Sequence, residues 1–170
     1  MRKMPNGFTL VELMVTIAVA AILLTVGVPS LKSLYDAYRG SSEISRIQQA
    51  LSFARNQAIS YGAPVAVCPN SNGTSCGSDW QSGLLIYATT TADTATVSKV
   101  LKVVEGFNSS DRVAGGNIVF RPDGLTSNDQ VSFIYCPNGE RSGSRSVNVS
   151  TSGMIRYGDD DKTCGSLVPE

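Results

Sequence analysis

Residues 8–28 form an almost uninterrupted apolar run, and Glu12 is its only charged side chain. As an α-helix at about 1.5 Å per residue, this run is about 31 Å long, which matches the hydrocarbon thickness of a bilayer. Arg2 and Lys3 precede the run, and no basic cluster directly follows Val28. The positive-inside rule therefore predicts a membrane-spanning helix with a cytoplasmic N-terminus and the rest of the chain outside.

The helical pattern continues beyond Pro29 but becomes one-sided. Its apolar residues recur at spacings of three and four, which predicts a helix with one buried face. These residues are Leu31, Leu34, Tyr35, Tyr38, Ile44, Ile47, Leu51, Ala54 and Ala58. The charged residues fall largely outside this stripe, at Asp36, Arg39, Glu43, Arg46 and Arg55. Gly62 and Pro64 predict that the helix ends near Tyr61, and Gly27 with Pro29 mark a point where it can kink.

After Pro64 the pattern changes to short apolar segments separated by turn residues, which predicts β-strands. The predicted strands are Val65–Cys68, Leu84–Ala88, Val97–Val104, Ile118–Phe120, Val131–Cys136, Ser146–Val149 and Met154–Tyr157. Residues 121–124 read Arg-Pro-Asp-Gly, a turn signature, and residues 89–96 predict an exposed polar loop. Trp80 is expected to anchor the core. The order of one long helix followed by an antiparallel sheet predicts an α+β architecture in which the helix covers one face of the sheet.

This pattern divides the chain into four segments: a leader (1–7), a membrane helix (8–28), an amphipathic continuation (29–61) and a β-rich head domain (62–170). The length of 170 residues accommodates one such helix and a head domain of roughly 110 residues. The chain has 14 basic and 14 acidic residues, so no overall charge favours nucleic acid. Loss of Arg2 and Lys3 with the leader leaves a slightly acidic product with 12 basic residues.

The sequence offers no basis for catalysis, a metal or a cofactor. It contains no histidine, which excludes imidazole from any catalytic or metal-binding scheme. No phosphate-binding glycine loop and no nucleophile motif occur. Asp159, Asp160 and Asp161 are adjacent, so their side chains are expected to splay into solvent; calcium binding is the alternative, although no spaced ligand pattern supports it. We predict that the protein is not an enzyme.

Four cysteines, Cys68, Cys76, Cys136 and Cys164, all lie in the segment expected outside the cytoplasm, where disulfides persist. An even number there predicts two disulfides, whereas a zinc site would favour a closer paired spacing. Three pairings are possible. We favour Cys68–Cys76, which closes a short polar loop, and Cys136–Cys164, which ties the C-terminal tail to an earlier strand.

The apolar run and the residues before it read Gly7-Phe8-Thr9-Leu10-Val11-Glu12. An ordinary secretory signal would have a shorter apolar core, and its only small-residue cleavage pattern, residues 18–20, lies inside the run. A plain signal anchor would leave Glu12 without a reason, and the length of the apolar run argues against the buried core helix of a soluble protein. The segment resembles the class III leader of type IV pilins and type II secretion pseudopilins. The resemblance implies that a prepilin peptidase cleaves after Gly7 and methylates the amine of Phe8, and methylation keeps the charge of that amine. Glu12 is then expected to pair with the Phe8 amine of a neighbouring subunit.

Segments of the head domain resemble the GspH/FimT group, which contains the H pseudopilin of type II secretion and the minor pilins FimU and FimT. These segments are residues 51–59, 64–68, 80–83, 118–124 and 152–156. The resemblance implies the type IV pilin fold and a structural role. The predicted function is that of a minor pilin, with other pilins as partners in a complex at the tip of a type IV pilus. The alternative from the same family is a type II secretion pseudopilin H. The expected location is the inner membrane before assembly and a pilus or periplasmic pseudopilus afterwards.

A third alternative is a DNA receptor for DNA uptake. FimT-type proteins carry a Gly-Arg-x-Arg pattern near the C-terminus, and the corresponding residues here are Gly153, Met154, Ile155 and Arg156. Arg141 and Arg145 flank this region and are expected to share a face with Arg156. Three arginines would neutralise about three phosphates and give weak, non-specific binding. Glu140 and residues 159–161 oppose it with negative charge.

Overall fold

The computed structural model describes residues 8–90, 97–127 and 129–164. It divides the chain into two compact units, Met1–Tyr35 and Asp36–Glu170. The leader, residues 1–7, and most of the predicted loop 89–96 lie outside the described residues. The fold class is confirmed: one long N-terminal helix is followed by strands that pair only in antiparallel fashion among the described residues.

The helix α1 (Leu10–Tyr61) begins two residues later than predicted and ends at the predicted residue. It is helical at Gly27 and includes Pro29, so no break occurs at the point where a kink was expected. An 18-residue window of α1 has a mean hydropathy of 2.4, and none of this window is buried. Within the described residues, α1 is thus the one helix long and apolar enough to cross a membrane.

The second half of α1 carries the buried face, but this face is shorter than predicted. Leu34, Tyr35 and Tyr38 are 60–74% exposed, whereas the fully covered positions begin near Ile44. The remaining helical core positions are Ile47, Ala50, Leu51, Ala54 and Ala58. The stripe therefore has the predicted buried character only over the last turns of α1, while its first members are exposed.

In the described part of the chain, eight strands form two four-stranded sheets rather than the single sheet expected. The strands are β1 (Val65–Pro69), β2 (Leu84–Ala88), β3 (Lys99–Val104), β4 (Arg112–Ala114), β5 (Ile118–Phe120), β6 (Val131–Cys136), β7 (Arg145–Val149) and β8 (Ile155–Tyr157). The first sheet has the order β3-β2-β1-β5 and the second has the order β4-β6-β7-β8. The larger core joins side chains of both sheets with the buried face of α1, and a second, smaller core lies on the other face of the first sheet.

One strand and several strand bounds differ from the prediction. β1 ends at Pro69 rather than Cys68, β7 starts at Arg145 rather than Ser146, and β8 starts at Ile155 rather than Met154. β4 was missed because it has only three residues and lacks a clear alternation of apolar and polar side chains. β3 starts at Lys99 instead of Val97. Thr89, expected in an exposed loop, is buried, and its amide donates to the carbonyl of Pro64 at 3.0 Å.

Trp80 is a core residue, as predicted. It opens a short 3-10 helix (Trp80–Ser82), and the carboxylate of Asp79 accepts a hydrogen bond from the Gln81 amide at 2.9 Å to cap it. The indole of Trp80 meets the ring of Phe133 edge-on, with ring centroids 5.1 Å apart. This contact links the segment just before β2, in the first sheet, to β6, a central strand of the second sheet.

Candidate functional site

The start of α1 is capped by Thr9, which the sequence analysis did not single out. The Thr9 hydroxyl accepts a hydrogen bond from the Glu12 amide at 3.2 Å, and the Thr9 carbonyl accepts one from the Leu13 amide at 3.2 Å. Thr9 followed three residues later by Glu12 is a capping-box pattern ahead of an apolar run, and that pattern was the available signal. Glu12 therefore lies in the first turn of α1, where the helix dipole favours a negative charge.

The first half of α1 exposes its apolar side chains on every side. Phe8 is 81% exposed, and Leu10, Met14, Ile17, Leu23 and Val28 are all more than half exposed. In water, an apolar surface of this size would be strongly unfavourable, so a bilayer or other apolar helices must cover it. Gly7, the predicted residue before the cleaved bond, lies outside the described residues.

The structure contains the two disulfides that were favoured from the sequence. Cys68 and Cys76 have Cα atoms 5.6 Å apart, and Cys136 and Cys164 have Cα atoms 6.2 Å apart. The loop between the first pair is organised by Asn72, whose side-chain oxygen accepts hydrogen bonds from the backbone amides of Thr74 at 3.1 Å and Ser75 at 3.0 Å. This loop is therefore ordered and polar.

The second disulfide holds the segment after β8 along β7. The Gly158 amide donates to the Ser146 carbonyl at 2.9 Å, and the Asp161 amide donates to the Ser144 carbonyl at 3.2 Å. The Ser144 hydroxyl donates to the Lys162 carbonyl at 2.9 Å. Asp159, Asp160 and Asp161 are exposed, and the described residues contain no cluster of acidic, histidine or cysteine side chains that would hold a metal ion.

The three arginines considered for DNA binding do not share a face, contrary to expectation. Asn148 pairs with Arg156 across β7 and β8, whereas Arg145 is three residues before Asn148 and lies on the opposite face of β7. Arg145 also forms an ion pair with Asp160 at 3.4 Å, and the Arg141 side chain donates to the Asp161 carbonyl. Among the three, only the side chain of Arg156 has no ion-pair or hydrogen-bond partner within the described part of the chain.

A buried cluster of polar side chains attaches α1 to the head domain at Asp36 and Arg39. Asp111 is 2% exposed, and one of its carboxylate oxygens lies 2.8 Å from the Arg39 guanidinium. The same oxygen accepts from the Asn138 amide at 2.9 Å, and the other accepts from the Tyr135 hydroxyl. The Asn138 side chain also donates to Asp36 at 3.0 Å. Burial raises the pKa of Tyr135, and the carboxylate of Asp111 raises it further.

Two further arginines of α1 contact the head domain, which corrects the expectation that the charges of the helix lie away from it. The Arg46 guanidinium donates to the Glu105 carbonyl at 2.5 Å and lies 4.5 Å from the centre of the Phe107 ring. The Arg55 side chain donates to the Gly124 carbonyl at 3.0 Å. Polar side chains of α1 thus bind the loops of the head domain that contain Glu105 and Gly124.

Arg55 also brings together three of the segments on which the resemblance rests. Gly124 ends the Arg-Pro-Asp-Gly turn with φ of 78°, and its amide donates to the Arg121 carbonyl at 2.9 Å. Gly153 has φ of 72°, and a Cβ atom there would collide with the Gly124 carbonyl. Gly153 is therefore required because its backbone touches the Gly124 carbonyl next to the Arg55 side chain, whereas Gly124 is favoured by its own positive φ.

Comparison with known proteins places these features in a family. The sequence model of the GspH family, described as "Type II transport protein GspH", matches residues 43–153. The prokaryotic N-terminal methylation motif matches residues 2–28. No curated protein sequence gives a match.

Solved structures with the same fold come from a type IV pilus and from a type 2 secretion system. Two crystal forms of the type IV minor pilin FimU of Pseudomonas aeruginosa are 20% identical, with TM-scores of 0.58 and 0.61. The alignments cover 75% and 77% of this chain and 99% and 96% of the FimU chains. The minor pseudopilin EpsH of the Vibrio cholerae type 2 secretion system is 12% identical, with a TM-score of 0.51, and covers 69% of this chain and 94% of its own.

These structures show the fold alone, because their sequence identities are low. The family model, in contrast, spans more than half of the 170 residues and includes the segments around Arg55, Gly124 and Gly153. Together with the methylation motif on the apolar helix, this match shows that the chain belongs to the GspH family of pilin-like proteins.

Proposed function

We propose that this protein is a minor pilin, a structural subunit of a type IV pilus that joins other minor pilins at the filament tip. The observation that carries the proposal is the start of α1, residues 10–28, which is apolar on all sides, is not buried and bears Glu12 as its one charged side chain. The match of residues 2–28 to the N-terminal methylation motif supports the same role. The minor pilin FimU has the same fold.

In this proposal the apolar helix is covered at every stage. Residues 8–28 first hold the subunit in the inner membrane, with the N-terminus in the cytoplasm and the head domain in the periplasm. A prepilin peptidase cleaves after Gly7 and methylates the new amine of Phe8. Extraction into the filament then replaces lipid contacts with contacts to the apolar helices of other subunits.

Glu12 sets the height of the subunit in the filament. Its carboxylate pairs with the Phe8 amine of a neighbouring subunit, in surroundings where an unpaired charge is costly by several kcal/mol. A subunit at the wrong height leaves both charges unpaired. Arg39, Arg46 and Arg55 also have a structural role, since they hold α1 against the head domain. The proposal assigns the protein no catalytic role.

Substitution of Glu12 tests this proposal. The Glu12→Val variant is expected to insert into the inner membrane and to be absent from sheared filaments, because it lacks the charge that matches Phe8. Immunoblots of membrane and filament fractions measure both outcomes.

The control is Thr9→Val, which removes the helix cap and keeps the carboxylate. If Glu12 acts between subunits, Thr9→Val enters filaments at near wild-type levels. Equal exclusion of both variants would show that Glu12 acts through the local cap, and normal incorporation of Glu12→Val would refute the proposal.

A pseudopilin H of a type II secretion system is the second candidate. The observation in its favour is the family model, whose description names type II transport. The two candidates differ in their neighbours, so crosslinking in intact cells followed by mass spectrometry of the attached subunits separates them. Type IV pilins among the products support the first candidate, and other pseudopilins support the second.

A further inference from the structure

β8 is an edge strand whose outer peptide groups are unpaired. Hydrogen bonds from Gly158 to Ser146 at 2.9 Å and from Ser150 to Met154 at 3.0 Å bracket the pairing of β8 with β7. In an antiparallel ladder the residues between them alternate in direction, so the peptide groups of Arg156 face β7. Those of its two neighbours, Ile155 and Tyr157, therefore face away from the sheet, and no described residue supplies them with a hydrogen-bond partner.

A groove of about 350 Å³ lies against this edge on the outer face of the second sheet. It is lined by Gln130, Asn148, Ser150, Met154, Arg156 and Tyr157. The Ser132 hydroxyl donates to the side-chain oxygen of Asn148 at 2.7 Å, so the amino group of that amide is left to donate outward. The groove therefore presents hydrogen-bond donors beside the exposed, apolar side chain of Met154. Tyr157 lies on the opposite face of β8, where its hydroxyl forms a hydrogen bond with the Ser45 hydroxyl of α1 at 3.0 Å.

Arg156 gives the groove an unmatched positive charge. Its side chain is exposed, and no carboxylate of the described residues lies within 4 Å of it. Arg145, on the neighbouring strand, is already matched by Asp160. A ligand that brings an acidic oxygen to Arg156 would form a charge-assisted hydrogen bond that the free protein lacks.

The edge of the first sheet at β3 has a different character. Lys99 and Lys102 are exposed on β3, and the register of β3 against β2 shifts between Ile86 and Tyr87. Lysines and bulges on an edge are devices that discourage the addition of another strand. β8 has neither a lysine nor a bulge within its three residues. Met154, directly before it, is 43% exposed, and Tyr157, its last residue, is 55% exposed.

We propose that β8 is extended by a strand of a neighbouring pilin subunit, with an aspartate or glutamate of that strand bound to Arg156. Main-chain hydrogen bonds to Ile155 and Tyr157 give affinity in this mode, and the pairing of the acidic residue with Arg156 gives specificity. The inference rests on the proposed function, since it names the contact through which this subunit joins other pilins.

Photocrosslinking of the full-length chain in cells that make its pilins tests the inference. A photoreactive benzoylphenylalanine replaces Met154 in one strain and Val103 in the other. Val103 lies on β3 and is 41% exposed, so it matches Met154 in exposure and in its position at a sheet edge. The Met154 probe is expected to attach to an extended segment of another pilin that contains an acidic residue, and the Val103 probe is not.

Charge and edge variants extend the test. Arg156→Glu is expected to lower the Met154 crosslink by about tenfold, the factor for loss of a charge-assisted hydrogen bond. Arg112→Glu, on the opposite edge strand of the same sheet, is expected to leave it unchanged. Tyr157→Pro removes an outward N–H without touching the β7 ladder and is expected to lower the yield, whereas Tyr157→Phe keeps it. The fluorescence of Trp80 verifies that each variant is folded.

The outcomes separate this inference from the proposed function. Pilins that copurify with a chain whose Met154 probe gives no pilin product would overturn the inference and leave the proposed function standing. A product that digests with nuclease, or a yield unaffected by Arg156→Glu, would also overturn it. If no pilin copurified with the wild-type chain, both this inference and the proposed function would be refuted.

Discussion

Replacement of Arg39 by methionine removes the guanidinium that contacts the buried carboxylate of Asp111 at 2.8 Å. Methionine keeps most of the aliphatic volume, so the main change is the lost charge. Asp111 would retain the Asn138 amide and the Tyr135 hydroxyl, both neutral donors. Removing one partner of a buried pair costs about 3–5 kcal/mol, and the 17% exposure of the Arg39 side chain favours the lower end, about 3 kcal/mol.

Urea unfolding of the full-length chain in detergent micelles measures this change. Trp80 is the single tryptophan and is buried, so its fluorescence reports the unfolding of the head domain. With a urea dependence of about 1.5 kcal/mol per M, a loss of about 3 kcal/mol lowers the midpoint by about 2 M.

Two further variants make the result specific. Arg145→Met removes an exposed ion pair with Asp160, for which the expected loss is below about 1 kcal/mol. The double variant of Arg39→Met with Asp111→Asn removes the charge left behind and should recover at least half of the loss. Equal midpoints for Arg39→Met and Arg145→Met, or a double variant no more stable than Arg39→Met, would refute the assignment of Asp111 as a buried, paired charge.

Two more predictions use the same fluorescence assay. Gly153→Ala is expected to lower the free energy of unfolding by about 3 kcal/mol, because a Cβ atom meets the Gly124 carbonyl at a positive φ; Gly62→Ala has a similar φ but open space, so a loss of about 1 kcal/mol is expected. Equal losses would contradict the contact between the two turns. Because burial raises the pKa of Tyr135, its contribution to stability is complete below the ordinary tyrosine pKa of about 10 and is lost as the pH rises above it. Tyr135→Phe should therefore flatten the decline of the urea midpoint between about pH 9 and about pH 11, and an unchanged decline would show that Tyr135 is not its cause.

The sequence determined the elements whose patterns are local. The apolar run from Phe8 requires a membrane-length helix whatever surrounds it, and Gly62 with Pro64 ends α1 at the predicted residue. β2, β5 and β6 have the predicted bounds because each is a short, largely apolar segment between turn residues. The membership in the GspH family was recognised from the leader and from such local segments.

Tertiary structure decided which side chains meet. The sequence could not show that Arg39 reaches Asp111, because the two are far apart in the chain and an arginine on a helix is more often solvated. Nor could it show that Arg145 and Arg156 lie on opposite faces of the second sheet, since that depends on the pairing register of β7 with β8. Shifting a register by one residue reverses every side chain, and only long-range hydrogen bonding fixes it.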